Sequence, residues 1–106
     1  MKKNIPQHYT TVKEKHPAFI EAVESLGIAT KMAGPIDNKT AHLIQLAAAV
    51  TCKSEGSTHS HTRRLLEMET SPEEIRHTII LLTGTIGFPG VMAGMTWAND
   101  VIDEWE

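Results

Sequence analysis

The sequence contains a single cysteine, Cys52, among its 106 residues. An intramolecular disulfide is therefore impossible, and so is a cysteine-rich zinc module. No apolar run approaches the roughly 20 residues that a membrane-spanning helix needs. The two lysines at the N-terminus are not followed by the apolar stretch of a secretory signal. We therefore expect a cytoplasmic protein without membrane contact.

The chain also lacks an excess of positive charge. It has 10 Lys and Arg against 13 Asp and Glu, a formal net charge of −3. Binding to nucleic acid or to anionic lipid depends on basic residues, so neither partner is expected. The length predicts one domain over residues 1–106, with residues 1–16 as a lead-in segment. A chain of this size buries only about two-thirds of its unfolded surface, which makes a homo-oligomer the expectation.

Strand signals are scarce, because no segment alternates apolar and polar residues and no Asn-Gly or Asp-Gly turn occurs. Helix signals are frequent, so the sequence predicts an all-α fold of about five or six helices. The predicted helices cover approximately residues 17–32, 37–53, 54–68, 71–86 and 91–106, with at most one short turn near residues 9–14 of the lead-in segment.

Two of these predicted helices carry distinctive signals. Ser71-Pro72-Glu73-Glu74 places serine at the N-cap, proline at the first helical position and glutamate at the third, which is a capping box. The helix that follows Asp37 is apolar on most of its faces. Such a helix is buried, either inside the subunit or between subunits.

The order of these segments resembles the carboxymuconolactone decarboxylase family, which includes the alkyl hydroperoxidase D-like proteins. The resemblance is carried by Asp37-Asn38-Lys39-Thr40, His61-Thr62-Arg63, Ser71-Pro72-Glu73-Glu74-Ile75 and the break at Gly87-Phe88-Pro89-Gly90. It implies an all-α subunit that assembles with itself. A hexamer is the preferred expectation, and a trimer is the alternative.

One branch of this family uses a C-x-x-C pair followed four residues later by a histidine. If that histidine is His61, the two cysteine positions fall on Ser54 and Ser57. The glutamate that completes the proton relay of this branch falls on His42. Serine hydroxyls cannot replace a thiolate and a resolving thiol, so dithiol peroxidase chemistry is not expected.

The remaining polar residues define a candidate site centred on His61. Ser54, Ser57 and His61 lie on one helical face, and His42 is expected to approach from the preceding helix. One interpretation is a small polar pocket in which His61 is a general acid or base, while Ser54 and Ser57 bind or orient the substrate. The other is that Ser54 only caps its helix and His61 makes a local hydrogen bond.

Substrate-binding and thiol roles remain open at three further residues. Arg63 or Arg64 is a candidate to hold a substrate carboxylate, and the alternative is a solvated face or a pair with Glu67. Cys52 is either a reactive thiol near a helix N-terminus or, as we favour, a small buried hydrophobe. His59 and His61 point about 200° apart on a helix and cannot chelate one ion together. His42 and His61 with a water are the remaining candidates, but no H-E-x-x-H or comparable spacing occurs, so no metal site is predicted.

The sequence therefore predicts a decarboxylase-like family member without dithiol chemistry and without a cofactor. If it is an enzyme, we expect decarboxylation or isomerisation of a small carboxylated or lactone-like metabolite, with His61 as proton carrier. One alternative is a non-catalytic oligomeric protein that binds a ligand or partner. Another is a one-cysteine redox protein, similar to alkyl hydroperoxidases and peroxiredoxins, that uses Cys52.

Overall fold

The structure is a computed structural model that describes residues 7–105. All regular secondary structure in this part of the chain is helical, which confirms the all-α prediction. The helices are α1 (Gln7–Lys15), α2 (Pro17–Lys31), α3 (Asn38–Thr51), α4 (Glu55–Glu67), α5 (Pro72–Ile80), α6 (Thr83–Ile86) and α7 (Phe88–Ile102). None of them is long and apolar enough to cross a lipid bilayer.

The described residues fall into two compact units. Helices α1 and α2 form one unit, and helices α3 to α7 form the other. That residues 1–106 form a single domain remains a prediction. All candidate site residues lie in the unit formed by α3 to α7.

Three helix boundaries differ from the sequence prediction. The lead-in segment holds the nine-residue helix α1 rather than a short turn. Helix α5 ends at Ile80, and the next residues form the separate four-residue helix α6. Helix α7 starts at Phe88, directly after Gly87, whose φ of 85° is a conformation that glycine adopts without strain.

The capping box at the start of α5 is present as predicted. The Ser71 hydroxyl accepts a hydrogen bond from the backbone N–H of Glu74 at 3.1 Å, and the Glu74 carboxylate accepts one from the backbone N–H of Ser71 at 3.3 Å. The same carboxylate lies 2.7 Å from the Lys39 ammonium, which joins the start of α3 to the start of α5.

Helices α3, α4, α5 and α7 share one hydrophobic core. Helix α4 has extensive contacts with both α3 and α7. The buried apolar residues of this core are Leu46, Val50, Leu65, Leu66, Ile75, Ile79, Val91, Ala98 and Ile102. This packing fixes the positions of α3, α4 and α7, which carry the polar clusters described below.

Helices α3 and α7 approach closely at Gly94. A Cβ atom at this position would lie 2.5 Å from Val50 Cγ1 and 3.0 Å from Val50 Cγ2. Valine is β-branched and stiff about χ1, so its side chain cannot turn away at low cost. Glycine is therefore required by the spacing of the two helices.

Helix α2 leaves much of its apolar surface exposed. Phe19, Val23 and Leu26 follow one another at helical spacing and are 61%, 47% and 63% exposed. These three side chains form an apolar stripe along the helix.

Replacing Gly94 with alanine should lower the free energy of unfolding by about 1–3 kcal/mol, since the new methyl group meets Val50. The control is Gly56→Ala in α4, where an added Cβ meets nothing within 4 Å and should not destabilise. Urea unfolding followed by circular dichroism measures both. Equal midpoints for the two variants would contradict the close approach of α3 and α7.

The carboxyl of Glu74 should report on the link between α3 and α5. Its pKa lies below the ordinary value, chiefly because of the hydrogen bond from Lys39 and also because of the bonds with Ser71. A lowered pKa in the folded state means that the contribution is present above the unfolded pKa and disappears as the pH falls through the folded value. The difference in melting temperature between wild type and Glu74→Gln should therefore shrink on acidification.

The exposed neighbour Glu73 provides the control for this titration, because no ion pair or hydrogen bond is found for it among residues 7–105. Glu73→Gln should change the melting temperature little at any pH. A Glu74→Gln effect that persists undiminished in acid would show that the carboxylate charge does not matter.

Candidate functional site

Two histidines from neighbouring helices meet at the boundary between α3 and α4. His42 Nδ1 and His61 Nδ1 are 3.0 Å apart, and the ring planes are tilted by 52°. His42 is only 3% exposed, whereas His61 is partly exposed. The predicted approach of His42 to His61 is therefore present in the structure.

This hydrogen bond restricts the protonation of the pair. One Nδ1 must carry a hydrogen and donate it, and the other must offer a lone pair and accept it. The bond is compatible with a neutral pair or with one imidazolium, but two imidazoliums have no lone pair to share. While the bond is present, the protonation state of each ring therefore restricts that of the other.

The periodicity of α4 explains why His61 faces α3. The buried residues of α4 are Thr58, Thr62, Leu65 and Leu66, which form one stripe along the helix. His61 borders this stripe on one side and His59 borders it on the other. Residues two apart on an α-helix point about 200° apart around the helix axis. On α3, His42 belongs to the buried set of residues.

Helix geometry sorts the other predicted site residues. Ser57 precedes His61 by four residues and Arg64 follows it by three, so all three share one face of α4. Ser57 and Arg64 are exposed. Arg63 points about 200° away from His61 and does not share that face.

Ser54 has a structural role at the start of α4. Its hydroxyl accepts a hydrogen bond of 3.2 Å from the backbone N–H of Ser57, which makes Ser54 the N-cap. The capping alternative from the sequence is thus observed for Ser54. For His61 the structure shows a bond to His42, which lies 19 positions away in the sequence.

Arg63 is the more desolvated of the two arginines. Burial lowers its pKa, and the nearby Glu67 carboxylate partly opposes that effect, while Arg64 adds to it. The attraction to Glu67 agrees with the alternative in which Arg63 pairs with Glu67 and does not bind substrate. Arg64 is consequently the better placed of the two to meet a ligand beside His61.

The interpretation of Cys52 as a small buried hydrophobe is wrong for this chain. Cys52 is a free cysteine and is exposed. It lies in the turn after α3, where its backbone N–H bonds to the Ala48 carbonyl at 2.9 Å. The turn continues through Lys53, which has a φ of 61°.

Sequence reasoning missed a second polar cluster, on the opposite edge of α4. His59 Nε2 lies 3.0 Å from Asp100 Oδ2 on α7 and 3.9 Å from Glu55 Oε2 on α4. The spacing of Glu55 and His59 is a signal in the sequence, because residues four apart on a helix are neighbours. Asp100 is 41 residues from His59, and no local pattern connects them.

Two buried polar atoms on α3 and α4 have no hydrogen-bond partner within the part of the chain that the structure describes. They are Gln45 Oε1, one turn after His42, and Thr62 Oγ1, next to His61. A buried polar group without a partner costs about 1–3 kcal/mol, so such groups call for an explanation.

These observations define the class of the protein: an all-α chain in which a histidine pair joins α3 to α4. The family model described as the carboxymuconolactone decarboxylase family matches residues 17–100. The chain belongs to this family. Neither the curated proteins nor the solved structures yielded a match.

Within that family, the chain lacks the C-x-x-C pair, as its single cysteine requires. The positions that the resemblance assigns to the pair hold Ser54, which caps α4, and Ser57, which is exposed. Neither serine has a hydrogen bond to a histidine among the residues that the structure describes.

The coupled protonation of His42 and His61 can be observed directly. In protein with ¹⁵N-labelled histidine, one of the two rings should be a neutral Nδ1–H tautomer at high pH, because one ring must donate from Nδ1. On acidification the pair should take up two protons in separate steps. Replacing His61 with alanine should leave His42 with a single step. Two Nε2–H tautomers at high pH would show that the bond is absent.

Proposed function

We propose that this family member catalyses cofactor-free acid/base chemistry on a small carboxylated or lactone-like metabolite. The observation that carries the proposal is the hydrogen bond between the buried His42 and the more accessible His61. A partly exposed imidazole with a buried imidazole as its partner has a fixed orientation and a place to send or receive a proton. Those are the properties of a general acid/base.

His61 is the proposed proton carrier in this reaction. When a carboxylate leaves as CO₂, the C–C bonding electrons remain on carbon, and a proton must be delivered there to form the new C–H bond. The imidazolium of His61 supplies that proton and is reloaded from solvent. In an isomerisation, neutral His61 removes a proton from carbon and returns it to another carbon of the same molecule.

His42 is the proposed positioning residue for His61. It is buried and touches solvent little, so it acts through the 3.0 Å bond rather than on the substrate. The bond holds the His61 ring in one orientation and lets charge on His61 be shared with a second ring.

Arg64 is the proposed carboxylate-binding residue, and Ser57 a polar contact beside it. Both share the face of α4 that bears His61, and both are exposed to an incoming ligand. A guanidinium binds a carboxylate through two parallel hydrogen bonds, which would orient a carboxylated substrate.

We also propose that the chain acts as a homo-oligomer, a hexamer or a trimer. The exposed stripe of Phe19, Val23 and Leu26 on α2 supports self-association.

A specific observation favours a second candidate, in which Cys52 is the reactive group. The thiol is exposed, so oxidants and small thiols have access to it. With one cysteine per chain, a sulfenic acid formed by a peroxide would have to be resolved by a small thiol or by another subunit.

Turnover should depend on His61 under the main proposal. The lactone acid that gives the family its name, together with a panel of small unsaturated and β-keto acids, is incubated in D₂O while CO₂ release and deuterium uptake into product are followed. His61→Gln should lower the rate by about 100-fold or more. Arg64→Gln should raise KM more than it lowers kcat.

Two variants serve as controls for this assay. His77 is an exposed histidine on α5, and His77→Gln should retain the wild-type rate. Cys52→Ser should also be silent, and a loss of turnover in that variant would favour the thiol candidate. Wild-type turnover by His61→Gln would refute the site. Ligand binding without turnover in the wild type would support a non-catalytic binding protein.

A further inference from the structure

We propose that Glu55, His59 and Asp100 form a binding site for a divalent transition-metal ion, with Zn²⁺ as the ion it suits. The site is separate from the histidine pair and does not depend on the proposed reaction. It joins α4 to α7, whereas His42 and His61 join α3 to α4.

The donor atoms of the three side chains converge. His59 Nε2 lies 3.0 Å from Asp100 Oδ2 and 3.9 Å from Glu55 Oε2, and all three donor atoms lie within 4.8 Å of one another. Ligands that bind zinc at about 2.0–2.2 Å lie roughly 3–3.5 Å from each other in common geometries. Small rotations of the two exposed carboxylates would therefore bring all three donors to one ion.

The donor atoms suit a metal ion of intermediate hardness, such as Zn²⁺. Imidazole nitrogen and carboxylate oxygen are zinc ligands, and three protein ligands leave a further position for water. Glu55 and His59 are one helical turn apart, so the backbone of α4 holds two of the donors at a fixed spacing. Asp100 is held opposite them because α4 and α7 share the hydrophobic core.

The local charge favours a cation. Among residues 7–105, the carboxylates of Glu55 and Asp100 have no basic partner other than His59. One imidazole cannot balance two carboxylates, whether it is neutral or protonated. Asp100 also lies in the last turn of α7, which has no basic residue, and a negative charge at a helix C-terminus is unfavourable. A divalent ion would neutralise both carboxylates.

Partial burial of His59 helps to organise the site. Its side chain is 21% exposed, against 60% for Glu55 and 50% for Asp100. The imidazole is thus held by its surroundings, while the two carboxylates can adjust. An ion could enter from solvent along the side of the carboxylates.

The test uses the full-length chain without an affinity tag, first stripped of metal with a chelator and then titrated with ZnCl₂ in a calorimeter. Wild type should bind one equivalent per chain. His59→Gln, Asp100→Asn and Glu55→Gln should each weaken binding by about tenfold or more. Co²⁺ should give visible absorption bands in the wild type, and these bands should be lost in His59→Gln.

Matched controls separate this site from other ligands on the surface. Asp103 lies three residues after Asp100 and has Arg76 at 4.0 Å, so Asp103→Asn should bind zinc like the wild type. His77→Gln and His61→Gln should do so as well. Glu55 is exposed, so Glu55→Gln keeps the test valid even if the other two variants fold poorly.

The absence of zinc binding by folded wild type would overturn the proposal. So would zinc affinity that survives in all three variants of the cluster. If His61→Gln lost zinc binding while His59→Gln kept it, the zinc ligands would lie at the histidine pair. That result would also contradict the proposal.

Discussion

The packing of α4 against α3 and α7 is the constraint on which the polar clusters of this unit depend. One stripe of α4, formed by Thr58, Thr62, Leu65 and Leu66, is buried in the shared core. The edges of that stripe carry His61 on the side of α3 and His59 on the side of α7. The close contact of Gly94 with Val50 brings α7 near α3, so that the three helices meet around one core. The positions of both histidines follow from this arrangement.

The two edges of α4 provide different chemistry from the same residue type. His61 meets another imidazole, and a histidine pair can hold and pass a proton. His59 meets two carboxylates and has a partly buried ring, which is an environment for a positive charge. Membership of the carboxymuconolactone decarboxylase family is shown by the match over residues 17–100. The reaction and the metal are proposals that rest on these two environments.

Much of the fold could be predicted because its signals are local. The serine, proline and glutamate at the start of α5 specify a capping box from four consecutive residues, and the box is present. The subdivision after Ile80 was missed, although Thr83-Gly84-Thr85 interrupts the apolar run and Gly84 is a poor helix former. The start of α7 at Phe88 depends on the backbone angle of Gly87, which sequence alone does not reveal.

The candidate site was predictable to the extent that a resemblance or a helical period placed its residues. His42 and His61 were both predicted, and the structure brings them together. The exposure of Cys52 was missed because cysteine is usually buried, and only the path of the turn after α3 decides its position. Asp100 was missed because its approach to His59 depends on how α4 packs against α7.

A pair of double-mutant cycles tests most directly whether α4 turns His61 towards α3 and His59 away from it. Unfolding free energies are measured for His42→Ala, His61→Ala and the double variant, and then for the same cycle with His59→Ala in place of His61→Ala. The account predicts a coupling energy of about 0.5–3 kcal/mol between His42 and His61 and roughly zero between His42 and His59. Equal coupling in both cycles, or none in the first, would contradict it.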